Sequence, residues 1–325
     1  MRSTAKKLLL ASYYAASQPI RFALRRQLQR NRELPAAVLF YHRVADVSPT
    51  PWTISNRDFR KHIQYLKEHF ELVSLGVLQS QHHQQNNSKM MVAITFDDGY
   101  AENFDQAIPL LLEERVPFTY FVSSNYVLSQ LPFPHDVKLG LNLAPNTPEQ
   151  IRFLADQGVA IGGHTRSHAD MGQIAQREQI RHEILGDIRV LEAITGKAID
   201  YFAFPYGDLH NMSQTAIDVL REAGIKGMCS AYGEFNRPNA EPWHIKRIHG
   251  DPGMLRLKNW LTLDPRKLRR QKKFPFDFKP LGQVGSIAQA LQVVSPLDRP
   301  KLDADAPVFA NLLMSSNLSS TVVAT

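Results

Sequence analysis

The sequence has little cysteine, no long apolar run and no acidic residue near its start. Its single cysteine excludes an internal disulfide and with it the small disulfide-stabilised secreted class. The apolar run at residues 8–17 (LLLASYYAAS) has ten residues, against the roughly 20 that a transmembrane helix needs. A chain of 325 residues with 43% hydrophobic content can nevertheless bury a large core, so we expect one large or two smaller α/β domains.

The net charge of +7 is concentrated at the start of the chain. Residues 1–32 contain eight lysine and arginine residues and no acid, so the remainder is close to neutral. A near-neutral body is unlike a nucleic-acid-binding protein, and no nucleic-acid partner is expected. We interpret residues 1–34 as a basic amphipathic leader that lies against the domain or an anionic membrane, which favours a cytoplasmic or membrane-associated location. A secretory signal peptide cut after Ser17 is the alternative.

From residue 36 onward, short apolar runs alternate with longer periodic segments, which predicts repeated βα units and a largely parallel sheet. After about residue 285 the composition drifts to Ala, Ser, Leu and Thr, which predicts a disordered tail over 286–325 and one folded domain over 35–285. The candidate strands are 36–41, 91–96, 118–122, 159–163, 201–204 and 225–231, and the candidate helices include 57–69, 102–114, one that starts at the 147–150 capping box, and one that ends at Gly196.

Two adjacent carboxylates, Asp97 and Asp98, directly follow the candidate strand 91–96. Gly99 permits a sharp turn that leaves both at the carboxyl end of the strand, where functional sites collect in parallel α/β folds. The alternative is an ordinary turn with an aspartate helix cap. Adjacent charges repel, so something nearby must compensate them.

The stretch HTRSH, residues 164–168, places His164 and His168 after another candidate strand. On one helical turn, or a tight loop resembling one, both imidazoles can face a single ion. Together with the paired aspartates they fit a divalent metal site with open positions for water and substrate. One aspartate would bind the cation, which offsets the repulsion, and the other would take a proton from water.

Three stretches together, TFDDGY (95–100), HTRSH (164–168) and FAFPYGD (202–208), resemble the motifs of the polysaccharide deacetylases of the NodB homology type, carbohydrate esterase family 4. The resemblance spans residues 38–248 and implies an α/β fold, a deformed (β/α) barrel of about seven strands. It also implies a metal-dependent hydrolase that removes N-acetyl groups from a polysaccharide or cell-envelope oligosaccharide and releases acetate. The implied cofactor is a divalent ion, with zinc the expected one.

Six residues of this sequence match positions to which the family gives a role. The role of each residue is carried over from the resemblance, although the residue types and their spacing point independently to the same carboxylates and imidazoles. They are Asp97 as the catalytic base, Asp98, His164 and His168 as the metal ligands, and Pro205 and Tyr206 as the substrate loop, with the Tyr206 backbone N–H binding the oxyanion.

The family's late Leu-x-His motif, which supplies the general acid, is absent from its expected place. The stretch LFYHRV (39–44) resembles the early Tyr-His element of the subgroup that deacetylates poly-N-acetylglucosamine, where this acid comes from the first strand. We therefore predict that His42 is the general acid. The alternative is a histidine that is merely hydrogen-bonded at a strand end.

The third motif departs from the family at Ala203, where an arginine usually braces the catalytic aspartate. Arg247, in the late stretch IKRIHGD (245–251), is predicted to reach Asp97 from a neighbouring strand instead. A surface arginine is the alternative for Arg247.

The motifs specify the chemistry more than the substrate, so other functions stay open. One is a metal-dependent O-acetyl esterase or non-sugar amidase on the same barrel. The other is a non-catalytic glycan-binding relative, for which the loss of arginine at Ala203 is the single supporting observation.

Overall fold

The computed structural model describes residues 2–82, 89–238, 240–250 and 253–278. The predicted tail, 286–325, lies outside the described residues. Within those four segments, no helix combines the length and the apolar character needed to cross a membrane.

The described residues form ten strands, and three of the four longest are buried along their whole length. This is typical of parallel strands that are covered on both faces, and it explains the near-continuous runs of Val, Ile, Phe and Ala. The strands are β1 (Ala37–Tyr41), β2 (Arg43–Val44), β3 (Thr53–Ile54), β4 (Glu71–Leu72), β5 (Met91–Phe96), β6 (Phe118–Val122), β7 (Ala160–Gly163), β8 (Tyr201–Ala203), β9 (Gly227–Ser230) and β10 (His244–His249).

Seven of these strands close into a parallel barrel. Their order is β1-β10-β9-β8-β7-β6-β5, and β5 pairs again with β1. The seam strand β1 pairs with β10 on one side, Val38 opposite Arg247, and with β5 on the other, Val38 opposite Ala93. β4 adds to β5, and β2 and β3 form a separate two-stranded sheet. The predicted (β/α) barrel of about seven strands is confirmed.

Helices connect the strands and cover the outside of the barrel. Several begin at side-chain caps, including the predicted capping box of Thr147 and Gln150. In the described residues they are α1 (Arg2–Ala16), α2 (Gln18–Arg30), α3 (Asn56–His69), α4 (Leu75–His82), α5 (Ala101–Asp105), α6 (Ala107–Glu113), α7 (Ser124–Ser129), α8 (Pro134–Val137), α9 (Pro148–Asp156), α10 (Arg177–Thr195), α11 (Gln214–Glu222), α12 (Met254–Leu261) and α13 (Pro265–Arg269), with one 3₁₀ turn at Leu209–Asn211.

The predicted continuous helix over 102–114 is wrong, because the chain breaks at Gln106 into α5 and α6. Pro109 explains the break. It has no N–H to donate to the carbonyl of Asp105, and its ring would clash with that carbonyl in a continuous helix. The helix predicted to end at Gly196 does so, and that glycine has a φ of 68°.

The residues of the predicted leader form α1 and α2, which contact the last helices of the barrel. Arg21 is 2% exposed and donates to the backbone carbonyl and the side-chain oxygen of Asn259, at 2.9 and 2.6 Å. The Tyr13 hydroxyl donates to Asp264 at 2.7 Å. The described part of the leader is therefore held in place by buried polar contacts.

Alternate residues of the strands separate into two apolar clusters. One packs against the outer helices and includes Leu39 and Ile94, and the other includes Val38, Ala93 and Ala203. Because side chains alternate along a strand, the second set faces the barrel interior. The predicted site residues lie at the carboxyl ends of these strands.

Candidate metal and catalytic site

The paired aspartates lie in a tight turn at the end of β5. Asp97 extends the β1 pairing, since its N–H donates to the Tyr41 carbonyl at 2.9 Å. Asp98 has a left-handed backbone with φ of 71°, and Gly99 follows with φ of 83°. A Cβ on Gly99 would lie 2.7 Å from a methyl group of Val122, so the turn requires glycine. It turns the two buried carboxylates toward different partners.

The HTRSH stretch is a loop after β7 and not a helical turn, which settles the alternative that the sequence left open. Thr165 and His168 have φ of 59° and 57°, and the Thr165 hydroxyl accepts the Ala169 N–H at 2.8 Å. This loop brings both imidazoles to Asp98. The Nε2 atoms of His164 and His168 lie 3.4 and 3.1 Å from its Oδ1.

Two acidic residues of α10 hold this loop, and the sequence reasoning missed both. Asp187 accepts the N–H groups of His164 and Ser124, at 2.8 and 2.9 Å. Glu183 accepts the N–H and the hydroxyl of Ser167, at 2.9 and 2.8 Å. Burial raises the pKa of Asp187 to about 6, although its hydrogen bonds oppose the shift. The available signal was the four-residue spacing of two acids beside the apolar stripe of α10.

The tautomer of His164 is set by its own hydrogen bond. Its Nδ1 lies 2.7 Å from the Ala203 carbonyl, so Nδ1–H is the donor and Nε2 carries the lone pair. A lone pair that faces a carboxylate requires positive charge between them. Burial would lower the pKa of His164, but Asp98 and Asp97 raise it more. Burial would likewise raise the pKa of Asp98, but His168 and His164 hold it well below its ordinary value.

These three side chains fit a divalent cation. Their ligand atoms all lie within 4.8 Å of one another. The Oδ1 atom of Asp98 is buried and has no hydrogen-bond partner in the described part of the chain. Two imidazole nitrogens and one carboxylate oxygen are a ligand set found in zinc sites and in other divalent metal sites. A possible three-residue metal site is thus present where the sequence predicted one.

Asp97 forms a two-point ion pair with Arg247 of β10. The guanidinium nitrogens Nη1 and Nη2 lie 2.6 and 2.8 Å from Oδ1 and Oδ2 of Asp97, and neither side chain is more than 4% exposed. Arg247 also donates to the Thr95 hydroxyl and the Ser230 carbonyl. Burial would raise the pKa of Asp97, but Arg247 outweighs it and lowers the pKa below its ordinary value. The third motif has Ala203 in place of its usual arginine, and an arginine from another strand, Arg247, contacts Asp97 instead.

His42 follows β1 and lies beside aromatic rings. Its ring centroid is 5.6 Å from Phe40 and 5.9 Å from His249, and its buried Nδ1 has no hydrogen-bond partner in the described segments. Burial lowers the pKa of His42 to about 4, against the opposing effect of Asp98 and Asp97. The ring is therefore neutral at neutral pH.

Pro205 and Tyr206 form a turn after β8. Tyr206 and Gly207 have φ of 62° and 64°, and the Gly207 N–H donates to the Pro205 carbonyl at 2.7 Å. A left-handed tyrosine is strained, and such strain concentrates at functional sites. The Tyr206 ring is 61% exposed and packs edge-on against His168 at 5.1 Å. It therefore borders the three-residue site on the solvent side.

Comparison with known proteins places this site in a family. The model of the polysaccharide deacetylase family matches residues 84–228, which include all three motif stretches. A protein of Bacillus subtilis named as a polysaccharide deacetylase is 21% identical over 224 residues, 67% of this chain and 72% of its own length. Residues 84–228 of the chain therefore match the polysaccharide deacetylase family. The prediction of a hydrolase of carbon–nitrogen bonds other than peptide bonds is confirmed at the level of this family.

A second relative is the peptidoglycan-N-acetylglucosamine deacetylase of Bacillus cereus, 28% identical over 123 residues. This match covers 38% of each chain, so it spans well under half of that relative. Among solved structures, that of IcaB from Ammonifex degensii superposes with a TM-score of 0.60 at 22% identity, over 70% of this chain and 97% of the other. At that identity the likeness shows the fold, which is the same barrel.

Proposed function

We propose that this deacetylase-family chain hydrolyses the N-acetyl group of a glycan and leaves acetate and a free amino sugar. The observation that carries the proposal is the combination of an ionised Asp97, held by Arg247, with the adjacent Asp98, His164 and His168 set. The name of the Bacillus cereus relative supports an N-acetylated glycan as the substrate class. A cell-envelope glycan is our preferred case.

Asp98, His164 and His168 would hold a divalent cation, and we propose zinc because two imidazoles and a carboxylate suit it. When bound, such an ion supplies a Lewis acid and lowers the pKa of bound water toward about 7. The tautomer of His164 is already fixed for this role by the Ala203 carbonyl.

Asp97 would act as the general base. Its lowered pKa keeps the carboxylate ionised at neutral pH, and the two-point contact with Arg247 fixes its orientation. The carboxylate takes one proton from the attacking water. The resulting hydroxide oxygen bonds to the acetyl carbon, and the Tyr206 N–H is the donor offered to the oxygen that gains negative charge.

His42 would return a proton to the departing nitrogen as the C–N bond breaks. Its lowered pKa makes the neutral ring the resting form, so it receives its proton during the reaction. The proton that Asp97 has taken from water is the available source. The proton balance then closes, because one water proton reaches the amine, the hydroxide becomes part of acetic acid, and the ionisation of that acid to acetate gives the second proton to the amine or to solvent.

Two other functions were left open by the sequence. The non-catalytic relative rested on Ala203, and that support disappears because Arg247 contacts Asp97 in place of the missing arginine. An O-acetyl esterase or a non-sugar amidase would use the same groups. Acetate release from N-acetylated oligosaccharides, O-acetylated oligosaccharides and a small amide, measured side by side, separates these substrates. Preferential release from the N-acetylated glycan is expected, and release from the other two alone would contradict the proposal.

We further propose that the leader makes peripheral contact with anionic membranes. Its large apolar side chains include four that are at least 60% exposed, namely Leu8, Leu9, Ile20 and Phe22. Basic residues are interleaved with them along the sequence, and each cation near an anionic surface contributes about 1 kcal/mol. Attachment would place the barrel near an envelope glycan.

A further inference from the structure

His135, on α8, lies beside the site and has no role in the mechanism above. Its ring centroid is 5.5 Å from that of the metal-ligand candidate His168. Trp52 packs edge-on against it at 5.0 Å, and Phe133 stacks on it at 5.2 Å. The His135 side chain remains 28% exposed. It is therefore a polar group in an aromatic wall, within reach of solvent and of the site.

A buried hydroxyl determines which nitrogen of His135 carries the proton. The Tyr100 hydroxyl donates its only proton to Asp136, at 2.8 Å, and accepts the indole N–H of Trp52 at 3.1 Å. Its contact with Nε2 of His135, at 2.9 Å, must then be a bond in which Nε2–H donates. In the neutral ring this leaves Nδ1 with a lone pair. No described residue hydrogen-bonds to that nitrogen.

We propose that His135 is a substrate-positioning residue whose Nδ1 accepts a hydrogen bond from a hydroxyl group of the glycan. The inference rests on the proposed function and adds a recognition contact to it. Sugar hydroxyls are donors carried on rings with apolar faces, so an acceptor set between aromatic rings suits them. The contact would act on the sugar and leave the chemistry at the acetyl group to Asp97.

Trp52 and Tyr100 give this acceptor a fixed position. The indole N–H of Trp52 donates to Tyr100 and the Tyr100 hydroxyl donates to Asp136, so Tyr100 can only accept from His135, and rotation of the imidazole would break the Nε2 bond. A preorganised acceptor loses less side-chain entropy on binding than a free one. The network thus holds the imidazole of His135 through Nε2 and leaves Nδ1 available to a substrate hydroxyl.

The test uses two variants that each keep one side of the imidazole. In His135→Asn the amide oxygen can occupy the place of Nδ1, and in His135→Gln the amide group occupies the place of Nε2. Binding of an N-acetylglucosamine pentamer is measured by calorimetry, and initial rates are measured on the pentamer and on 4-nitrophenyl acetate, which has no sugar hydroxyl. Thermal unfolding and metal content confirm that each variant is folded, and His135→Ala is a further variant that lacks both sides.

We expect His135→Gln and His135→Ala to bind the pentamer about 10-fold more weakly, the size of one lost hydrogen bond, and His135→Asn to stay near wild type. The loss should appear in KM for the pentamer and leave 4-nitrophenyl acetate unaffected. If wild type deacetylates the pentamer and all variants bind it equally, His135 has no such role and the proposed function stands. If wild type hydrolyses only 4-nitrophenyl acetate and does not bind the pentamer, the proposed function fails and this inference fails with it.

Discussion

Replacing Arg247 with alanine tests the link between the ion pair and catalysis most directly. The substitution removes both hydrogen bonds to Asp97. The Asp97 carboxylate is 3% exposed and would be left without the guanidinium that neutralises it. Breaking a buried pair by removing one partner costs about 3–5 kcal/mol, because the remaining charge is uncompensated. The free energy of unfolding should therefore fall by about this amount at neutral pH.

The same substitution should change the pH dependence of turnover. Burial raises the pKa of Asp97 and Arg247 lowers it, so without the guanidinium only the upward effect of these two remains. An adjacent opposite charge is worth about 1–3 pKa units. Because the base works when ionised, activity is lost as the pH falls through its pKa, and a higher pKa moves this loss to higher pH. The acid limb of kcat/KM should shift upward by about 1–3 pH units.

The contribution of the Asp97–Arg247 pair to the free energy of unfolding should also be lost as the pH falls. A carboxylate whose pKa is depressed on folding contributes stability that is present above its unfolded pKa and is lost as the pH falls through its folded pKa. The variant should lack this contribution, so its stability deficit should shrink in acid. Urea unfolding at neutral and acidic pH measures this difference.

Two controls make the outcome specific. Arg247→Lys restores a point charge but not the two-point contact, so partial recovery of the acid limb is expected. Arg21→Ala removes another buried arginine, which bonds to Asn259 away from the site, and should destabilise the fold with no shift of the acid limb. An unshifted acid limb with near-normal turnover in Arg247→Ala would refute the reasoning.

Four other outcomes are expected. Asp98→Ala should lose the divalent ion and turnover together in metal analysis and acetate-release assays, and full occupancy with full activity would argue against the ligand set. His42→Ala should lower turnover about 10²- to 10⁴-fold, the range for general acid catalysis, with unchanged metal content; a smaller loss would remove its role. Asp187→Asn keeps the shape but loses one acceptor for the His164 loop, so metal affinity should fall about 10- to 100-fold in a competition titration; unchanged affinity would show that the loop holds itself. Leu9→Glu with Phe22→Glu should abolish salt-sensitive binding to anionic vesicles while oligosaccharide turnover persists, and equal binding by wild type and variant would exclude the leader contact.

Much of the fold was readable because parallel strands carry a strong local signal. Each of the six candidate strands matches a barrel strand, and the late stretch that contains Arg247 is the seventh, β10. The break between α5 and α6 was not predicted, because the apolar spacing continues through it. Pro109 was the local signal for this break. Local patterns of this kind depend on neighbours in sequence, so sequence reasoning reaches them.

The parts of the site that escaped depend on distant contacts. Glu183 and Asp187 look like ordinary polar residues of a helix until α10 packs beside the HTRSH loop. His135 likewise has no motif around it, and only the folded chain brings Trp52 and Tyr100 to it. The aspartates and histidines were accessible because their residue types and positions at strand ends point to metal chemistry without any knowledge of partners.

Because Arg247 lies on β10, the proposed base Asp97 is braced only where β10 is in place beside β1. Asp98 follows β5, and His164 and His168 follow β7, and neither strand pairs with β10. Arg247 arrives only with β10, and it is placed when that strand pairs with β1, Val38 opposite Arg247. His42 directly follows β1, the strand that pairs with β10. Local opening between β1 and β10 would separate Asp97 from Arg247 and leave the three candidate metal ligands together, so under the proposed mechanism such an opened barrel would bind the ion without a braced base.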